Sequence, residues 1–354
     1  MRSLSPVSRR RLSRRTVTLL VAGVGVVVAA LVAALVPVPY VILSPGPTLN
    51  TLGRTSSGPL ISVSGHQTYP TRGHLNLVTV SFLGGPGDGF NVFTALRAWL
   101  TPHMAVVPES ELFPSGQTEQ QVVQQDTLQM VSSQQTAQAA ALCTLGIHFT
   151  TVDTVTQTEK GMPAARVLRR GDVITAVNGV PVNCHHDTST LIRAHPAGTP
   201  VDLTITRNGR TQHVRVKTIN VQGHAVIGVL VRESFRFPFP ITIKVGNIGG
   251  PSAGLMFALG IVDKLTPGSL TGGKFVAGTG EIAASGAVSP IGGIQQKMAG
   301  ARAAGATWFL TPATNCADAS GAVPAGMHLA KVSTLRQALS DLSAIRAGHS
   351  VAGC

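Results

Sequence analysis

Acidic side chains and aromatic rings are both scarce in this chain, which sets 15 Asp and Glu against 28 Lys and Arg and holds only 4% Phe, Trp and Tyr. Too few rings leave no stacking platform for single-stranded nucleic acid, and no basic run is interleaved with aromatics. Nucleic acid is therefore not an expected partner, despite a net charge of +13. Cysteine is sparse too, at four residues. Cys184-His185-His186 has no second ligand pair at finger-like spacing, and adjacent histidines on a strand point to opposite sides, so no metal is expected. Gly268 to Lys274 has the glycines and lysine of a nucleotide-binding loop, but Phe275 stands where a Ser or Thr would hold magnesium. The run reads as a turn, and no cofactor is expected.

Much of the positive charge sits at one end. Six arginines and no acid fall within Met1 to Arg15, and the following 21 residues, Thr16 to Val36, carry no charge and are mostly Val, Ala, Leu and Gly. At about 1.5 Å of rise per residue that run is long enough to cross hydrocarbon. A cleaved signal peptide has an apolar core of roughly 7 to 15 residues and a small-residue cleavage site; this run is longer and has no Ala-x-Ala, which favours a retained anchor. The arginines at 9, 10, 11, 14 and 15 keep the N-terminus cytoplasmic and send everything after Val36 outside, with Tyr40 at the far interface. An oxidising exterior suits disulfides. Cys316 with Cys354 is the preferred pair, pinning the C-terminal tail, whereas Cys143 and Cys184 read equally as buried free thiols.

A length of 354 residues suggests two or three domains. Ser44 to Gly58, rich in Pro, Gly, Ser and Thr, reads as a stalk. His74 to Phe82 reads as a strand, Gly84 to Gly89 as a turn and Val92 to Leu100 as a helix. Gln117 to Leu145 is a long Gln- and Ala-rich helical stretch with a ragged apolar stripe, assigned a packing role. Val201 to Arg207 and Thr211 to Thr218 flank Asn208-Gly209, the dipeptide of a type I′ hairpin turn. Asp187 is placed to cap a short helix.

The segment from Gly146 to Thr218 resembles a PDZ domain of the bacterial type, through Pro163-Ala164-Ala165, Leu168, Gly171-Asp172-Val173-Ile174 and Val177-Asn178-Gly179. The resemblance implies capture of an extended peptide by strand addition, with a terminal carboxylate held by backbone N–H groups. Leu145-Gly146-Ile147 is the candidate carboxylate loop; its other reading is an ordinary helix end at Gly146.

Farther on, Ile241 to Val245 alternates as a strand, Gly246 to Gly250 is a loop and Ser252 opens an apolar helix reaching about Leu265. A serine there is commonly an N-cap, but the unpaired N–H groups and positive dipole end that converge at the helix N-terminus, here Pro251, Ser252 and Ala253, also suit a developing oxyanion. Gly250-Pro251-Ser252-Ala253-Gly254 is followed by Thr279-Gly280-Glu281-Ile282, Gly286-Ala287-Val288 and Pro290-Ile291-Gly292-Gly293-Ile294-Gln295-Gln296-Lys297. Together, over Ile241 to His349, these look like the proteolytic domain of Lon proteases. The resemblance makes Ser252 the nucleophile, Lys297 the general base and Thr279 the hydroxyl that orients the lysine. The chemistry agrees, since a lysine base must be neutral and no acid lies between Glu281 and Asp318.

The order anchor, PDZ, peptidase resembles the YlbL family of membrane-bound bacterial proteases. It implies an α+β chain divided into a basic segment 1–15, a transmembrane helix 16–36, a membrane-proximal region 37–145, a PDZ-like module 146–220 and a Lon-like proteolytic domain 232–349. The implied activity is ATP-independent serine endopeptidase action on membrane or secreted proteins. The likeness to Lon extends to ring-shaped homo-oligomers, for which the sequence itself marks no interface. Two rival readings stand beside it: a catalytically silent PDZ scaffold or chaperone, and a Ser/Asp/His hydrolase in which Asp318 and His328 serve Ser252.

Overall fold

The computed structural model describes residues 13–56, 58–114 and 116–354. Most of the basic segment predicted at 1–15 lies outside them. By compactness the chain divides into a smaller unit, 1–44 with 81–121, and a larger one, 45–80 with 122–354.

In the smaller unit the helix Arg14–Leu35 is capped by Ser13, whose Oγ accepts from Thr16 N at 3.2 Å. It has 22 residues, an 18-residue stretch of it has a mean hydropathy of 2.7 and none of its residues is buried, so it is long and apolar enough to cross a membrane. Beyond it, Pro37–Val38 pairs antiparallel with Phe90–Asn91, and Tyr40 to Leu43 pair with Ala105–Pro108. Asn91 caps the helix Val92–Trp99. A small core of Ile42, Phe90 and Ala98 holds these pieces together.

The larger unit is built on a parallel sheet ordered His328–Val332, Trp308–Pro312, Phe275–Gly278, His74–Leu83. Successive residues alternate between its faces. Leu75, Leu77, Val276 and Leu310 face a core shared with the helices Glu119–Thr144, Gly254–Leu265 and Leu335–Ala347. Val78, Ala277 and Phe309 face the helix Ile294–Ala303. Both faces are thus covered, as parallel sheets require. The stalk predicted from Ser44 is not one: Tyr40–Asn50 is a strand beside His74–Leu83. Pro45 and Pro47 are tolerated because, among the described residues, no strand pairs with the other side of this stretch to demand their missing N–H groups.

Between these elements the chain forms a six-stranded antiparallel sheet whose main order is Arg210–Lys217, Pro200–Arg207, Val173–Val177, Thr150–Thr158, Val229–Arg236, with Val180–Pro181 pairing Val173–Val177 off that path. Asn208 and Gly209 at φ 50° and 75° make the tight hairpin turn. The short helix Thr188–Arg193, capped by Asp187, packs on a core including Ile174, Leu203 and Ile205. This module extends past the predicted limit at residue 220, because Val229–Arg236 completes its sheet. Thr150 pairs with Arg236, so the module leaves and re-enters the larger unit at one place.

The guanidinium of Arg207 grips Asp172 with Nε and Nη2 each at 2.7 Å, and Asp172 is 2% exposed. Hydrogen bonding from Arg207 holds the Asp172 carboxyl below its ordinary value of 3.8. Arg207→Ala strands a buried carboxylate and is expected to cost the module about 3–5 kcal/mol, read by chemical denaturation. In the wild type this contribution is present above pH 3.8 and lost as pH falls through the depressed folded value; in the variant that acid-side loss is smaller.

Candidate active site

The helix Gly254–Leu265 begins two residues later than the sequence suggests, with Ala253 as its N-cap, so the Ser252 hydroxyl is not spent on capping. Gly254 has no room for a side chain: a Cβ there would lie 2.9 Å from Ile282 Cγ2 and 3.1 Å from Ser133 Oγ. The turn carrying Ser252 is held from two sides. The Ser252 carbonyl accepts from Gly280 N at 2.8 Å and from Thr279 Oγ1 at 3.0 Å. On the other side Ser133 Oγ donates to the Pro251 carbonyl at 2.9 Å, and Gly250 N donates to the Asp126 carbonyl at 3.1 Å. The Gln-rich helix Glu119–Thr144, assigned only packing from sequence, therefore also buttresses the serine loop. Its polar composition hid this, since Ser133 and the Asp126 backbone act singly.

Lys297 comes from the first turns of Ile294–Ala303. That helix starts from Gly293 at φ 68°, where a Cβ would sit 2.8 Å from Val80 Cγ2. The lysine is 4% exposed. Its Nζ donates to Ser252 Oγ at 2.8 Å and to Thr279 Oγ1 at 3.4 Å, and it forms no ion pair among the described residues. Desolvation without a compensating carboxylate pulls its pKa from 10.5 down to about 8. Thr279, 1% exposed, has its own proton committed to the Ser252 carbonyl, so its oxygen is left to accept from the amine.

The N–H groups of Ser252 and Ala253 donate to no protein acceptor among the described residues. Pro251, included in the expected oxyanion set, has no N–H; its carbonyl accepts from Ser133 and Gly254 instead. His328 packs tilted against Trp308 with centroids 4.9 Å apart, and the hydroxyl partner of Ser252 is Lys297, which disfavours the Ser/Asp/His reading. Lys274 donates to the Ile345 carbonyl.

The predicted carboxylate loop is corrected. Leu145, Gly146 and Ile147 form the end of the helix Glu119–Thr144, with Gly146 at φ 69° and Ile147 N bonded to the Leu142 carbonyl at 2.9 Å. Their N–H groups are all used, and Leu145 and Ile147 pack on the core of the larger unit. The module's open groove, about 360 Å³, instead runs between Thr188–Arg193 and residues 225–231. It contains Ile227-Gly228-Val229, a second apolar-Gly-apolar triplet legible in the sequence. Asp153, Asp187 and Glu233 line it. Asp153 Oδ1 and Glu233 Oε1 are buried without a hydrogen-bond partner. Burial, then the neighbouring Asp153 and Asp187, raise Glu233 from 4.5 to about 7.

Both disulfides are formed: Cys316–Cys354, as preferred from sequence, and Cys143–Cys184, which replaces the free-thiol reading. The grouping Cys143, Cys184 and His185 has metal-like proximity, but the disulfide occupies both sulfurs.

Comparison with known proteins assigns these parts to classes. Residues 143–218 match the family model of the PDZ domain, and residues 243–342 that of the Lon protease (S16) C-terminal proteolytic domain. The chain joins a PDZ domain to a Lon-like serine peptidase domain. "Lon protease 1" of Sorangium cellulosum is 38% identical over 100 residues, 27% of this chain and 12% of that protein. "Lon protease 2" of Herpetosiphon aurantiacus is 45% identical over 69 residues, 20% of this chain and 8% of that protein. The chain thus spans only a small part of the length of these curated relatives. Among solved structures, the PDZ domain of the SdrC-like protein from Listeria monocytogenes is 22% identical, covering 22% of this chain and 85% of that one at a TM-score of 0.21.

The groove acids give a pH prediction. Between pH 4.5 and about 7 the folded module keeps a proton on Glu233 that the unfolded chain has released, so its stability falls as pH rises through that window. Glu233→Gln should flatten this slope in thermal melts taken from about pH 5 to about pH 8.

Proposed function

We propose that the protein is a membrane-anchored, ATP-independent serine endopeptidase with Ser252 as nucleophile, Lys297 as general base and Thr279 orienting the amine. The observation that carries this reading is the 2.8 Å contact between Ser252 Oγ and a buried lysine that lacks a carboxylate partner. With its pKa at about 8, a useful fraction of Lys297 is neutral near physiological pH and accepts the Ser252 proton as Oγ attacks a peptide carbonyl. The unengaged N–H groups of Ser252 and Ala253 are positioned to receive the charge that develops on the carbonyl oxygen. Lys297 then protonates the departing amine, and water, deprotonated by the same lysine, hydrolyses the acyl ester.

The PDZ groove supplies substrate capture, an extended segment adding to the edge of Val229–Arg236 that no strand among the described residues pairs. ATP independence is supported by the Gly268–Lys274 run, whose lysine is tied to the Ile345 carbonyl and whose next residue is Phe275. The helix Arg14–Leu35 acts as the anchor, its preceding arginines on the cytoplasmic side and the proteolytic domain outside, where the two disulfides persist. The substrates are then unstructured or destabilised segments of membrane or secreted proteins.

Ser252→Ala and Lys297→Met should each lower cleavage of an unstructured fluorogenic polypeptide by on the order of 10³-fold or more, with Thr279→Val losing less. Full cleavage by Ser252→Ala would leave a peptide-binding scaffold as the better reading. In the wild type kcat/KM should rise with pH through an apparent pKa of about 8, because protonated Lys297 cannot act as a base.

A further inference from the structure

The helix Val92–Trp99 is built inside out for a water-soluble surface. The side turned to its own small core carries Ala95 and Ala98, which pack against Ile42, Phe90, Val38 and Val106. Its large apolar residues face outward: Val92 is 41% exposed, Phe93 50%, Leu96 51%, Trp99 72% and Leu100, just beyond the helix, 69%. Their spacing places all five on one stripe, and Thr94, Arg97 and Thr101 form a polar stripe beside it. Burying alanines while exposing Phe, Leu and Trp reverses the usual order, and so contiguous an apolar surface marks a contact site.

Its surroundings say what that contact is. Asn91, the N-cap of this helix, donates from Nδ2 to the Ala34 carbonyl at 3.1 Å, and Pro37–Val38 pairs with Phe90–Asn91. The helix therefore starts at the end of Arg14–Leu35 and lies against it. A 22-residue helix is about 33 Å long, close to the ~30 Å hydrocarbon thickness, so Ala34 lies where acyl chains give way to headgroups. Phe82 and Leu83, at 55% and 53% exposure, belong to the same unit.

We propose that Val92–Trp99 is an interfacial helix whose Val92, Phe93, Leu96, Trp99 and Leu100 stripe is seated in the lipid of the outer leaflet. This rests on the reading of Arg14–Leu35 as a membrane span. A tryptophan at the headgroup level and an arginine able to reach phosphate from an apolar helix are the chemistry of that zone. The occupant is lipid because the stripe continues from an element whose exposed apolar surface already requires lipid.

The chain has two tryptophans, so Trp308→Phe in the full-length protein leaves Trp99 as the sole emitter. Reconstituted in phosphatidylcholine and phosphatidylglycerol vesicles, Trp99 should emit at shorter wavelength than a water-exposed indole. It should lose intensity when bromine is placed on the acyl chains near the glycerol, and less when bromine lies near the chain ends. A parallel variant combining Leu31→Trp, Trp99→Phe and Trp308→Phe reports on the span. Quenching of that probe, with Trp99 unquenched and emitting as in water, overturns the interfacial helix while leaving the span intact. Failure of both probes to be quenched removes the span itself. Blue-shifted but unquenched Trp99 emission means that protein, such as a second copy of the chain, covers the stripe, and also overturns the proposal.

Discussion

An amine enclosed without an acid partner is the constraint on which the site depends. In the proposed mechanism Lys297 can serve as a base only because its amine is buried and no carboxylate restores its charge. Removing water takes a complete shell: sheet beneath, one helix entered from the serine turn, a second carrying the lysine, and a third pressing on the serine loop from behind. The desolvation that lowers the lysine pKa is a property of the whole domain, whereas Thr279 and the Ser252 backbone supply only local hydrogen bonds.

That shell is assembled from chain segments far apart. Strand His74–Leu83 lies beside Phe275–Gly278 in the central sheet, and Glu119–Thr144 braces Pro251, so residues before the PDZ module belong to the peptidase body as much as those after it. A proteolytic domain counted from residue 243 onward, the span of the family match, omits both. Cutting the chain after the module would expose Leu75 and Leu77's neighbours in the core, including Val276 and Leu310.

Short-range chemistry was the most legible part of the sequence. Asn208-Gly209 specified its hairpin because both residues tolerate positive φ, and Asp187 marked its helix start because few residues cap as well. Ser252 and Lys297 could be singled out because two motifs, not one, bracketed them. The failures are of a different kind. Ser44 to Gly58 read as a stalk because proline and glycine outvoted the strand pairing that only the tertiary sheet supplies. Leu145-Gly146-Ile147 reads as a carboxylate loop because a local triplet carries no sign of whether its N–H groups are already engaged. Pro251 was counted among oxyanion donors from its position at the turn, against its own covalent structure.

The adjacency of Thr150 and Arg236 has a bearing on how such a molecule diversifies. An insert whose two ends stand side by side asks only that its host tolerate a short gap, so the recognition module is a cassette, open to exchange or loss while the hydrolytic machinery stays whole. The bond between Cys143 and Cys184 is a second tie, lashing the cassette to the helix that precedes it, and any replacement module would inherit a host cysteine in search of a new mate.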